Sequence, residues 1–140
     1  MIVLALDPGT KRIGLAVSDP RGSFALPLDP VEVDAGEEHL STIAQAAAER
    51  RVQRIVVGLP LRLDGTEGPA AQAARTFAAA VERSTGLAVE LVDERLTTAQ
   101  AEREMIGRGM RRTKRRGKID SIAASVLLQG WLDAHREDEP

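Results

Sequence analysis

A mixed α/β fold, one β-sheet flanked by helices, is predicted for this 140-residue chain by three observations. Short apolar runs of strand length recur at residues 2–6, 13–17, 54–60 and 87–92. Longer alanine-rich stretches with apolar residues at helical spacing separate or follow them. The resulting order is three strands, then helix, strand, helix, strand and two helices, an order that layers helices on a mixed sheet. The length suits one domain spanning residues 1–140.

The first strand delivers Asp7 into a Pro8-Gly9-Thr10 turn, and the second follows at hairpin distance. Residues 22–33 (GSFALPLDPVEV) make a third strand, in which Pro27 and Pro30 each remove a ladder donor and so predict a sheet edge. Leu40, Ile43, Ala44 and Ala47 predict a helix over 37–51. Residues 54–60 (RIVVGLP) are continuously apolar, as expected of a strand covered on both faces at the sheet's centre. A loop over 61–68 carries Asp64-Gly65-Thr66. Pro69 then opens a second helix, where its missing N–H is harmless, and Ser84-Thr85-Gly86 stops it. Strand 87–92 ends in Asp93-Glu94-Arg95, after which Thr97 and Gln100, at capping-box spacing, start a helix towards Ile106. Glycines 107, 109 and 117, among cations that repel one another, predict a mobile loop over 107–118. The last helix, from Asp120 to about His135, is expected to bury Ile122, Ala123, Val126, Leu127 and Trp131, with a frayed tail at 136–140.

Composition narrows the chemistry. There is no cysteine, and the only histidines are His39 and His135, so thiolate zinc sites, thiol nucleophiles and disulfides are excluded and a histidine-rich metal site is disfavoured. Any bound metal should be hard and oxygen-ligated. No apolar stretch approaches the length needed to cross a bilayer, and a soluble, cytoplasmic protein is expected. The only aromatic residues are Phe24, Phe77 and Trp131, too few for a base-stacking platform; a nucleic-acid partner would have to be gripped by its backbone.

The net charge of −2 hides an asymmetry. Arg108, Arg111, Arg112, Lys114, Arg115, Arg116 and Lys118 put seven cations and no acid into residues 107–118, which leaves the remainder at −9. Such a strap on an acidic body points to a polyanion. Three acids occupy comparable places: Asp7 on the first strand, Glu94 at the end of the last, and Asp120 at the start of the final helix. Gathered in a partly buried site they would repel one another unless their pKa values rose or divalent cations intervened. Two Mg²⁺ or Mn²⁺ ions, which suit carboxylate ligands, could then serve phosphoryl displacement without histidine or cysteine. Lys11, Arg12 and Arg95 adjoin the acids and could steer a phosphate, and the strap could hold the backbone over the metals.

Each acid also has a structural role open to it. Asp7 can open its turn, and Asp120 can cap its helix, a role worth about 1 kcal/mol. Glu94 can pair with Arg95, and Asp93 competes with it for the inward position, since neighbours on a strand face opposite ways. Asp64 is explained by its Asp-Gly turn.

The stretches LALDPGTKRIGLAVSD, VVGLPLRLDGTEG, VDERLTTAQAE and KIDSIAASVLLQGWLD resemble, in order and spacing, the signatures of the YqgF/RuvX-type family over nearly the whole chain. That family is described as RNase H-like nucleases of pre-16S rRNA, related to Holliday junction resolvases. The resemblance implies an RNase H-like five-stranded sheet of order 3-2-1-4-5, its second strand antiparallel to the rest, with helices on both faces. It carries the family's acids over to Asp7, Glu94 and Asp120. It also matches a Gly58-Leu59-Pro60 turn and Asp64-Gly65-Thr66, without assigning them a role.

The expected function is a divalent-metal nuclease acting on RNA, with pre-16S rRNA the leading substrate and pre-ribosomal particles as partners, as a monomer or weak homodimer. Cleavage of junction DNA is the first rival, and it would call for two active sites and hence a dimer. A non-catalytic ribosome- or transcription-associated binding factor is the second. Asp-x-Gly-Thr also opens the phosphate loops of actin-like kinases, but 140 residues leave no room for their second lobe.

Overall fold

The computed structural model describes residues 1–94 and 121–135. The helix expected over 97–106, the basic segment 107–118, Arg95, Asp120 and the tail 136–140 lie outside the described residues. Five strands, β1 (Val3–Pro8), β2 (Arg12–Ser18), β3 (Ala25–Glu32), β4 (Arg54–Leu59) and β5 (Val89–Asp93), form one sheet of order β3-β2-β1-β4-β5. Strand β2 is antiparallel to both its neighbours, whereas β1, β4 and β5 run parallel. The described helices are α1 (Glu38–Glu49), α2 (Pro69–Thr85) and α3 (Ile122–His135). The RNase H-like order and the reversed second strand agree with the expectation.

The ends of the elements are set by local hydrogen bonds that apolar patterning does not register. The Gly9 N–H donates to the Arg12 carbonyl at 3.0 Å, and a Cβ on Gly9 would stand 2.6 Å from that oxygen, so the β1–β2 turn closes only on glycine. The third strand is shorter than 22–33 because Asp19 Oδ1 accepts the N–H groups of Ser23 and Phe24, each at 2.7 Å, and folds them into a turn. Strand β5 starts at Val89 rather than Leu87, because the Leu87 N–H is spent on Thr85 Oγ1 at the end of α2, where Gly86 adopts φ 71°. Helix α1 starts at Glu38, where the Asp34 carboxylate accepts the N–H groups of Glu38 and His39. That carboxyl is held down at about 2, first by its side-chain hydrogen bond to His39.

Two sequence readings are corrected. Gly58 and Leu59 belong to β4 and do not form a turn with Pro60; they are paired with Val92 and Asp93 of β5. Ala123 is exposed, because the face of α3 turned to the sheet carries Ala124, Leu128 and Trp131 at helical spacing.

The alternation of strand side chains divides the core in two. On one face Leu4, Leu6, Ile13, Leu15, Val17, Ile55 and Val57 pack with Leu40 and Ile43 of α1 and Ala78 and Val81 of α2. On the other Val3, Ala5, Ala16, Ala25 and Val56 meet Ala124, Leu128, Trp131 and Leu132 of α3. Helix α3 is also tied by directional bonds. Ser121 Oγ accepts the Leu15 N–H at 3.0 Å, where the β2–β3 register shifts, and Gln129 Oε1 accepts the Ala25 N–H at 3.1 Å. Among the described residues no helix is long and apolar enough to cross a membrane.

Candidate active site

Because β1, β4 and β5 are parallel, their carboxyl ends share one edge of the sheet, the usual place for ligands in such folds. Asp7 is the fifth residue of β1, on the face of Val3 and Ala5, and so on the α3 side. It is half-buried and directly opposite Gly14 of β2. Glu94 follows the last residue of β5, on the same face as Val92, which packs in the α3 core. Two acids 87 positions apart in the chain are thereby brought together, their carboxyl groups near enough to share a proton.

A carboxyl–carboxyl hydrogen bond needs a proton between the two groups. Burial, then the hydrogen bond to Asp7, then the charges of Asp7 and Asp93 push the Glu94 carboxyl up to about 8. The Glu94 carboxyl therefore gives up its proton less readily than a free carboxyl does. A site that keeps a proton between two oxyanions offers the same seat to another cation. The donors are carboxylate oxygens alone, which suits a hard divalent ion and not a soft one. Among the described residues no three His, Cys, Asp or Glu side chains are assembled for a metal. Ser121, next in sequence to Asp120, is anchored on Leu15 of β2, one residue from the Gly14 that faces Asp7.

The remaining candidates are distributed as follows. Asp93 takes the opposite face, with Leu91, and acts on Glu94 through its charge. Asp64 Oδ1 accepts both the N–H and the Oγ1–H of Thr66, at 2.9 and 2.6 Å, so it closes the 62–66 turn. Lys11 and Arg12 are exposed on the β1–β2 turn, at the end of β1 where Asp7 lies. Arg95, Arg111, Arg112, Lys114, Arg115, Arg116, Lys118 and Asp120 are outside the described residues. Both histidines are engaged elsewhere: His39 on Asp34 at 2.6 Å, and His135 stacked on Trp131 with its Nδ1 at 2.7 Å from the Trp131 carbonyl. The residue to which sequence reasoning gave no role is Gly58, whose signal was a glycine inside an otherwise β-branched strand.

Fold and site together define an RNase H-like protein with paired carboxyl groups at the sheet's carboxyl edge. The fold is similar to that of T. thermophilus RuvC in complex with a Holliday junction substrate, at TM-score 0.65 and 16% identity, covering 98% of this chain and 96% of that one. It is also similar to the fowlpox virus Holliday junction resolvase, at TM-score 0.59 and 13% identity, covering 96% and 99% of the two chains. The family model described as "RuvX: Holliday junction resolvase" matches residues 1–134. A relative from Myxococcus xanthus named "Putative pre-16S rRNA nuclease" is 46% identical over 136 residues, 97% of this chain and 90% of its own length. The chain belongs to the RuvX family, a family of nucleases.

Proposed function

We propose that this protein is a divalent-metal-dependent nuclease that hydrolyses phosphodiester bonds in RNA, with the 5′ end of pre-16S rRNA as its physiological substrate. The observation that carries this reading is the juxtaposition of the Asp7 and Glu94 carboxyl groups at the carboxyl edge of an RNase H-like sheet. The names of relatives such as the one from Myxococcus xanthus support the substrate class.

Asp7 and Glu94, with Asp120 as a third donor, are the residues that would hold Mg²⁺ or Mn²⁺. Such ions, when bound in a pair, supply an activated water and stabilise the leaving oxygen. The chain's own contribution is to hold carboxylate oxygens in a half-buried place where water competes poorly. Lys11 and Arg12, together with Arg95 and the strap from Arg111 to Lys118, would bind the phosphates on either side of the scissile bond. The protein is proposed to work in the cytoplasm on pre-ribosomal particles, as a monomer or weak homodimer.

The test is a cleavage panel of structured RNA, single-stranded RNA, single-stranded DNA and a four-way junction, each with Mg²⁺, Mn²⁺ and chelator. Metal-dependent RNA cleavage by the wild type and none by Asp7→Asn is the expected result. Undiminished cleavage by Asp7→Asn overturns the site assignment. Junction cleavage is the second reading, favoured by the description of the family model and by the resolvase fold. Light scattering with and without a junction separates the two, because a strict monomer that cuts single strands is not a resolvase.

A further inference from the structure

Glu94 does not sit beside Asp7 in the sheet, because β4 runs between their strands. Neighbouring strands lie about 4.8 Å apart, so the Glu94 and Asp7 side chains together have to span roughly two strand spacings for their carboxyl groups to meet. The residue beneath that crossing is Gly58. Leu6 pairs with Val57, so the next position along β1, Asp7, lies beside Gly58, and on the other side Gly58 pairs with Val92, two residues before Glu94. A Cβ on Gly58 would overlap Glu94 Oε1 and lie 3.0 Å from both Cδ and Cγ of the same side chain.

A glycine inside a strand weakens it, through backbone entropy and through the side chain it does not pack. Gly58 is not among the glycines of positive φ, which among the described residues are Gly22, Gly65 and Gly86, and it is paired within β4 rather than turning the chain. Backbone geometry therefore gives no reason for it. The space above it does, since that space is filled by the Glu94 carboxyl. On the far side of Asp7 the paired residue is also a glycine, Gly14, so neither neighbouring strand raises a side chain next to this acid.

We infer that Gly58 is a positioning residue for the reaction: its missing side chain opens a channel across β4 through which Glu94 reaches Asp7. As a role in catalysis this rests on the nuclease reading above; as a statement about where Glu94 sits it does not. In Gly58→Ala the backbone of β4 can stay in place, but the Glu94 carboxyl must leave Asp7. Substrate contacts made by exposed cations are untouched by that movement.

The experiment is a double-mutant cycle of Gly58→Ala with Glu94→Ala, read by chemical denaturation in chelator and by steady-state cleavage kinetics. Gly58→Ala is expected to lower kcat at least tenfold with KM for the nucleic acid within about twofold. Its effect on unfolding free energy is expected to differ between the wild type and the Glu94→Ala background, where the collision partner is gone. This difference between backgrounds is something a merely structural glycine would not show. An equal stability effect in both backgrounds overturns the inference, as does a Gly58→Ala protein that cleaves at the wild-type rate. A wild type silent on every substrate, with the stability coupling intact, removes the nuclease reading and upholds Gly58 as the seat of Glu94.

Discussion

On one face of the sheet Leu4, Leu6, Ile13, Leu15, Ile55 and Val57 meet α1 and α2 through hydrocarbon alone. On the other, alanines at 5, 16, 25 and 124 thin the core, and the buried Ser18, Ser121, Ser125 and Gln129 all lie on this side. Large side chains need only volume and dryness, and such cores tolerate exchange provided the space is filled. Small side chains bring backbones close enough for Ser121 and Gln129 of the α3 segment to bond the N–H groups of Leu15 and Ala25 directly. Position on the α3 face is thus set by directional bonds, and the carboxyl pair is built on that face. One side of the sheet supplies stability; the other sacrifices some of it for geometry.

Residues 6 and 7 put this contrast within one peptide bond. Leu6→Ala empties a fully buried leucine site and should cost about 2–5 kcal/mol in urea unfolding, with cleavage per folded molecule retained. Asp7→Asn should cost more than about 100-fold in cleavage with no loss of unfolding midpoint, since it removes a charge that lacks a cation in chelator. A large stability loss from Asp7→Asn, or a large activity loss from Leu6→Ala at equal folding, would break the division between the faces.

The directional bonds provide the next test. Ser121→Ala leaves the Leu15 N–H buried without its acceptor and should destabilise by about 1–3 kcal/mol, read by denaturant melts. An effect near zero would mean that α3 is seated by apolar contact, like the helices opposite.

The carboxyl pair should also make the two faces differ in their response to pH. Glu94 ordinarily titrates near 4.5 and is pushed up to about 8 in the fold, by burial first. Below about 4.5 the group is protonated whether the chain is folded or not, and it costs nothing. Between about 4.5 and 8 the folded form keeps a proton that the unfolded chain has released, so rising pH favours unfolding. Above about 8 the loss is complete. Glu94 is only half-buried, so solvent screening reduces the size of the effect. Denaturation in chelator should show stability falling across this window, and Glu94→Gln should flatten the fall. An unchanged slope in Glu94→Gln would assign it elsewhere.

The smallest expected effect is a gain. Gly130 lies inside α3, and among the described residues nothing comes within 4 Å of where its Cβ would be. Gly130→Ala should stabilise by about 0.5–1 kcal/mol, visible as a raised melting temperature. A loss would show that this stretch of α3 needs close approach, as β4 does at Gly58.

Much of this was legible before any coordinates. Apolar runs located four of the strands, Pro27 and Pro30 marked β3 as an edge, and Asp7 stood out as a charge closing a buried run. These features are local: a strand's composition and a proline's missing N–H act over a few residues. Where local hydrogen bonds competed with apolar pattern, as at Asp19 and Thr85, the predicted ends were off by two or three residues.

What the amino-acid sequence determined by itself was the inventory: a strand-and-helix order, an acid at the end of β1, two more acids far along the chain, and one concentrated run of cations. Only the tertiary structure decided that Glu94 and not Asp93 turns to Asp7, because two neighbours on a strand face opposite ways and the pairing of β5 with β4 selects between them. It likewise decided that Gly58, inside the strand expected over 54–60, lies under a side chain crossing from the next one. The physical reason is the same in both cases. Which face a residue occupies depends on the register between strands joined by long connections, and no local propensity encodes that register.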